Sequence, residues 1–125
     1  MGTERRNYRR YQVDGDRIQA SLSRIQKTFN VKDISIGGMK IEYNPLADKL
    51  LESEIIDLVG MNNRRYFFLP RISCEKVYDI PTLMQKESFK GGEVRIRGLK
   101  FLDLTGEQED GLDFLFEQCL DVSVS

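Results

Sequence analysis

Arg5, Arg6, Arg9 and Arg10 place four guanidinium groups within six positions of a chain whose formal net charge is only −1. A guanidinium carries a fixed charge on a planar fork of donors. It can pair with phosphate, bind the O6/N7 edge of a guanine or lie flat against a base, where a lysine offers mainly a mobile point charge. A local excess of that kind asks for an anionic partner. From the cluster alone three readings stay open: a solvated arm, a nonspecific phosphate binder, or half of a defined anion site. Arg6 and Arg10 stand four apart and would share one face of a helical turn, although the spacing does not require one.

A second group is Asp33-Ile34-Ser35-Ile36-Gly37-Gly38. Asp33 can accept hydrogen bonds from the N1 and exocyclic amino donors of a guanine, and Ser35 can donate to phosphate or hold the loop. Gly37 and Gly38 permit backbone geometries closed to bulkier residues and let a ligand approach. An ordinary Asx or Ser turn between Val31 and Met39 explains the same residues.

The rest of the composition narrows the chemistry. With 19 basic and 20 acidic residues, any attraction to an anion is local, which counts against nonspecific nucleic-acid binding through the arm and the Arg64-Arg65 turn. Histidine is absent and only Cys74 and Cys119 are present, so no metal set is expected, and histidine acid/base chemistry is excluded. Asp57, Glu75 and Asp103 are scattered rather than paired, and no enzyme is expected. The cysteines fall on a strand-like and a helix-like segment and read as free thiols of a reducing cytoplasm. No apolar run approaches about 18 residues, so no membrane insertion is expected.

The elements that must position these groups read as one domain of 125 residues, with a flexible arm over 1–16 and a folded body over 17–125. Ile18, Ala20 and Leu22 alternate with polar residues, as do Met39 and Ile41, and 54–59 reads as a further strand. Residues 60–63 read as a turn. The aromatic segment 66–69, Phe68 included, is expected to pack in a sheet, and Pro70 marks an edge, a bulge or a strand end. Ile72, Cys74, Lys76 and Tyr78 are expected on one face, with Val77 on the other. Residues 82–92 form a connection, and 93–104 resumes the alternation. Thr105, with Gln108 three positions on, predicts a helix start, followed by Leu112, Leu115, Phe116 and Cys119 as its apolar face. Short strands joined by Gly, Asn and Pro turns favour an antiparallel barrel.

Together, Arg6-Asn7-Tyr8-Arg9-Arg10 and Asp33-Ile34-Ser35-Ile36-Gly37-Gly38 resemble the arginine-spaced and Asp-x-Ser-x-x-Gly motifs of the PilZ domain family. The doublet Arg5-Arg6 fits the same pattern. Gly98-Leu99-Lys100-Phe101-Leu102-Asp103-Leu104, followed by a polar turn and an amphipathic helix, extends the resemblance over nearly the whole chain. It implies an all-β protein, a compact antiparallel PilZ-like β-barrel with an N-terminal arginine-rich arm and a C-terminal α-helix. It further implies a bacterial receptor for the second messenger cyclic di-GMP, with no other cofactor. Arg6 and Arg10 would then hold guanine edges or phosphates, and Asp33 and Ser35 would recognise the base and adjacent polar atoms. Gly38 would preserve the loop, with Gly37 beside it, and Arg5 would contact or stack on a base. A downstream protein effector and a ligand-assisted homodimer are the partners implied. The alternative is a nucleotide-independent PilZ-like adaptor in motility or pilus assembly.

Overall fold

Alternating apolar residues with few interruptions drive most of the chain into strands, whose inward positions then share one core. A computed structural model of the chain describes residues 9–63, 65–82 and 94–120. Arg5, Arg6, Arg64 and residues 83–92 of the expected connection lie outside them. The strands are β1 (Tyr11–Gln12), β2 (Ile18–Leu22), β3 (Lys27–Ile34), β4 (Gly38–Tyr43), β5 (Ser53–Asn62), β6 (Arg65–Pro81) and β7 (Arg95–Leu102), and the helix α1 is Gly106–Cys119. All strand pairs are antiparallel. Six strands follow in the order β3-β2-β5-β6-β7-β4, and β4 returns to β3, so the sheet closes into a barrel with β1 added beside β3. Closure removes the open edges that a flat sheet of this length would expose.

Ile18, Ala20, Leu22, Val31, Ile34, Met39, Ile41, Ile56, Leu58 and Ile72 fill the interior. The helix begins at the expected cap. Thr105 Oγ1 accepts from the Gln108 N–H and Gln108 Oε1 accepts from the Thr105 N–H, each at 3.0 Å. Leu112, Leu115, Phe116 and Cys119 are buried as its periodicity requires. Their burial ties the helix into the barrel's core.

Several local expectations are corrected. Residues 60–62 are not turn but the end of β5, and the reversal falls on Asn63, whose φ is +58°. At Pro70 the expectation of a bulge holds: β6 runs through it, and Pro70 and Arg71 together oppose the single residue Asp57, with Arg71 at φ +58° donating its N–H to Asp57 Oδ1. Of the aromatic run only Phe67 packs, edge-on to Phe114 at 5.6 Å between centroids. Tyr66 and Phe68 are 74% and 64% exposed because alternate residues of a strand face outward. Within 1–16, Tyr11 and Gln12 pair with Ile34 and Asp33, and Val13 is buried. The polar residues around them hide this edge strand from a periodicity reading.

Two further register shifts decide which residues share a face. On β3, Val31 opposes Ile41 and Asp33 opposes Lys40, leaving Lys32 unmatched in the backbone register. On β6, Lys76 opposes Leu99 and Tyr78 opposes Gly98, leaving Val77 unmatched. Each extra residue reverses the inward-outward phase of the strand beyond it. Tyr78 therefore does not share a face with Ile72 and Cys74, contrary to the expected alternation, and Asp79 turns inward instead.

There Asp79 accepts from Arg95 Nε at 2.6 Å, from Arg97 Nε at 3.1 Å and from the Tyr43 hydroxyl at 2.5 Å, while Arg97 also donates to the Leu51 carbonyl. Burial alone would raise the Asp79 pKa. The Arg95 and Tyr43 hydrogen bonds and the two arginine charges outweigh it, so the carboxyl ionises below the ordinary aspartate value. A depressed carboxylate contributes stability above its unfolded pKa and loses it as pH falls through the folded one. The melting temperature is therefore expected to drop on acidification from pH 6 to about pH 3 more steeply than that of Asp79→Asn. Parallel curves for the two proteins would contradict this.

Both cysteines are free and buried. Burial, with the Glu54 charge adding to it, pushes the Cys74 thiol up to about 12. Burial raises Cys119 too, against the opposing charge of Arg17. Since the thiolate is the reactive form, neither is expected to react with a disulfide reagent at pH 8 until the protein unfolds. Labelling of the folded protein within minutes would refute that assignment.

Candidate functional site

The site is assembled where β1, β3 and β4 meet. Arg10 directly precedes β1, and the pairing of Tyr11 with Ile34 and of Gln12 with Asp33 holds its backbone beside the end of β3. From there its guanidinium reaches Asp33 Oδ1 through Nε at 3.2 Å and Nη2 at 2.7 Å, and donates from Nη1 to Ser35 Oγ at 3.2 Å. Lys40 Nζ lies 3.3 Å from Asp33 Oδ2. Both carboxylate oxygens are thus engaged by cations. The Asp33 side chain is only 7% exposed, whereas that of Arg10 is 46% exposed. The buried anion fixes the guanidinium, and the guanidinium meets solvent.

Asp33 stands here because of Lys32. Were Lys32 paired with Lys40, the β3 alternation would carry Asp33 to the inward side with Val31; because Lys32 is left unmatched, Asp33 shares the outward side with Lys40, and Ile34 turns inward opposite Met39. The connection to β4 is tight. The Ser35 N–H donates to the Gly38 carbonyl at 2.8 Å, Ser35 Oγ accepts from the Gly37 N–H at 3.1 Å, and the Gly37 carbonyl accepts from the Phe101 N–H at 2.9 Å. Ser35 is therefore both a loop latch and a partner of Arg10, which accounts for its near-complete burial. A Cβ at Gly38 would overlap the backbone carbonyl of Leu99. The close approach of β7 is what demands glycine there.

Five of the seven residues singled out in the sequence therefore lie together, namely Arg10, Asp33, Ser35, Gly37 and Gly38, while Arg5 and Arg6 fall outside the described residues. Arg9 sits over the ring of Tyr11, 5.5 Å from its centroid, and Tyr11 packs on Phe116 of α1 at 5.1 Å. Sequence reasoning missed Lys40, whose outward position was visible but whose partner was not. Among the described residues no three His, Cys, Asp or Glu side chains gather as a metal site, and no helix is long and apolar enough to cross a membrane.

No protein-family model and no curated protein matches the chain in sequence. In three dimensions it is similar to the PilZ domain with c-di-GMP of YcgR from Escherichia coli, with a TM-score of 0.63 and 16% identity over 92% of each chain. The fold is PilZ-like. The K. pneumonia MrkH–c-di-GMP complex is similar over 91% of this chain and 51% of that one, with a TM-score of 0.63 and 14% identity. The Borreliella burgdorferi PlzA protein in complex with c-di-GMP is similar over 82% and 46%, with a TM-score of 0.52 and 16% identity. The chain thus spans about half the length of these last two proteins. Within the PilZ-like barrel, the clasp of Arg10 on Asp33 and Ser35 lies on the outward side of the strand ends, with the Arg10 guanidinium meeting solvent.

Proposed function

We propose that this protein is a bacterial receptor that binds cyclic di-GMP at the Arg10 clasp and relays binding to a downstream protein without transforming the nucleotide. The observation that carries the reading is the half-exposed guanidinium of Arg10, oriented by buried Asp33 and by Ser35. One N–H on each of its nitrogens is used internally, which leaves the second proton of Nη1 and of Nη2, and the planar face, for an incoming group. Phosphate oxygens or a guanine O6/N7 edge match those donors. Arg5 and Arg6 precede this point in the chain and would add charge to the same ligand. Asp33 acts mainly as the residue that holds Arg10, since Arg10 and Lys40 already occupy its oxygens; direct reading of a guanine by Asp33 would require one of them to move.

Solved structures of PilZ-like fold described with c-di-GMP support the same reading. Calorimetric titration of the full chain with cyclic di-GMP, beside linear GMP at matched ionic strength, tests it. Saturable binding of the cyclic ligand with little affinity for GMP is the expected result. A folded sample that binds neither would overturn it and leave a nucleotide-independent adaptor, a reading favoured by the clasp's being closed on itself. Light scattering at saturating ligand is expected to show a dimer.

A further inference from the structure

The outward face carries more than the clasp. Reading across the strands, Asp33 opposes Lys40, Lys40 opposes Gly98, and Gly98 opposes Tyr78. This row crosses three interstrand gaps, roughly 14 Å. Two clefts open along it. One of about 360 Å³ is lined by Arg10, Gly37, Lys40, Tyr78 and Lys100, and the other, of about 530 Å³, by Gln12, Lys32, Asp33, Lys40 and Tyr78 among others. Lys40 and Tyr78 line both.

Tyr78 reaches this face only because Val77 is unmatched. Opposite it, Gly98 has no side chain, and the Tyr78 ring lies across the vacant position, with Cδ2, Cε2 and Cζ where a Cβ would project. An aromatic ring laid over backbone has a defined orientation, and here it is bordered by cations. Lys40 is 40% exposed and Lys100 is 57% exposed, with the Glu75 carboxylate 4.0 Å from the Lys100 ammonium. A ring beside ammonium groups matches a planar base carrying a phosphate, the first by stacking and the second by charge.

From this arrangement we infer that Tyr78 is a base-stacking residue of the ligand site and that Lys40 and Lys100 flank it as phosphate contacts. The inference rests on the reading of the clasp as a cyclic dinucleotide site. It divides the ligand between two places, one end at Arg10 and a base on Tyr78, and it makes base identity a matter for an aromatic face as well as for the arginine.

The chain contains no tryptophan, so Tyr78→Trp introduces a single indole reporter. Its emission is expected to be quenched saturably by cyclic di-GMP, with a midpoint matching that from calorimetry on the same variant. Tyr78→Phe keeps the ring and is expected to bind within about twofold of the wild type, whereas Tyr78→Leu, which still covers Gly98, is expected to bind about tenfold more weakly. Thermal melts of all three separate binding from folding. Unquenched indole emission at saturating ligand, or Tyr78→Leu binding as tightly as wild type, would overturn the inference while leaving the receptor reading intact. A wild-type protein that binds no cyclic di-GMP would overturn both.

Discussion

Arg10→Ala is expected to weaken cyclic di-GMP binding by about 100-fold while the protein remains folded. A guanidinium that donates to a ligand phosphate or guanine edge supplies charge-assisted hydrogen bonds, each worth about 1.5–3 kcal/mol, and one or two of these span that loss. The effect on stability is smaller and has a separate origin. Asp33 is buried and would lose its Arg10 partner, but it keeps Lys40 at 3.3 Å. The remaining cation limits the cost to about 1 kcal/mol, a shift of only a few degrees in Tm. Arg10→Lys restores charge without the planar fork and should recover only part of the affinity. Full affinity in Arg10→Ala, measured by the same calorimetry, would remove the clasp from the binding site.

Gly38→Ala is expected to act in the opposite proportion. The added methyl would strike the Leu99 carbonyl and the Lys100 Cα, all of it backbone, so no side-chain rotamer can make room. β4 would have to move away from β7 at the Gly38–Lys100 pair, close to where the Gly37 carbonyl accepts from Phe101. A loss of about 3 kcal/mol is expected, lowering Tm by about 10 °C. Affinity falls with it because Ser35 donates to the Gly38 carbonyl and cannot keep its place under Arg10. A melt within 2 °C of wild type would show that β7 yields where the packing says it cannot.

The barrel and helix were legible in the sequence for a simple reason. Strands such as Ile18–Leu22 and Gly38–Tyr43 alternate without interruption, and Thr105 with Gln108 writes a helix start into four residues. The candidate site was legible as a list of residues, because Arg10 and the Asp33-to-Gly38 loop carry unusual chemistry at fixed spacing. Its geometry was not. Periodicity assumes an unbroken count of two, and Lys32, Val77 and the Pro70–Arg71 pair each break it. That is why Tyr78 seemed to share a face with Cys74, why its pairing with Gly98 escaped notice, and why the buried Asp79–Arg97–Tyr43 cluster left no trace in the pattern. The strand at Tyr11–Gln12 was hidden differently: two residues are too few to show a period.

The unmatched residues Lys32 and Val77 set unequal rules for genetic change. Replacing the Lys32 side chain alters an outward group and leaves the face of every neighbour as it was, so many amino acids should serve there. Deleting Lys32 would make Val31 opposite Ile41 and Asp33 opposite Lys40 consecutive pairs of an unbroken ladder, so the carboxylate stays beside Arg10 and Ile34 stays inward opposite Met39. Deleting Val77 would likewise join the Lys76–Leu99 and Tyr78–Gly98 pairs and leave Tyr78 outward and Asp79 inward. At these two positions the fold is indifferent to the letter and tolerant of its loss, whereas a deletion at a paired position of the same strands must be absorbed by the bulge or reverse the faces beyond it.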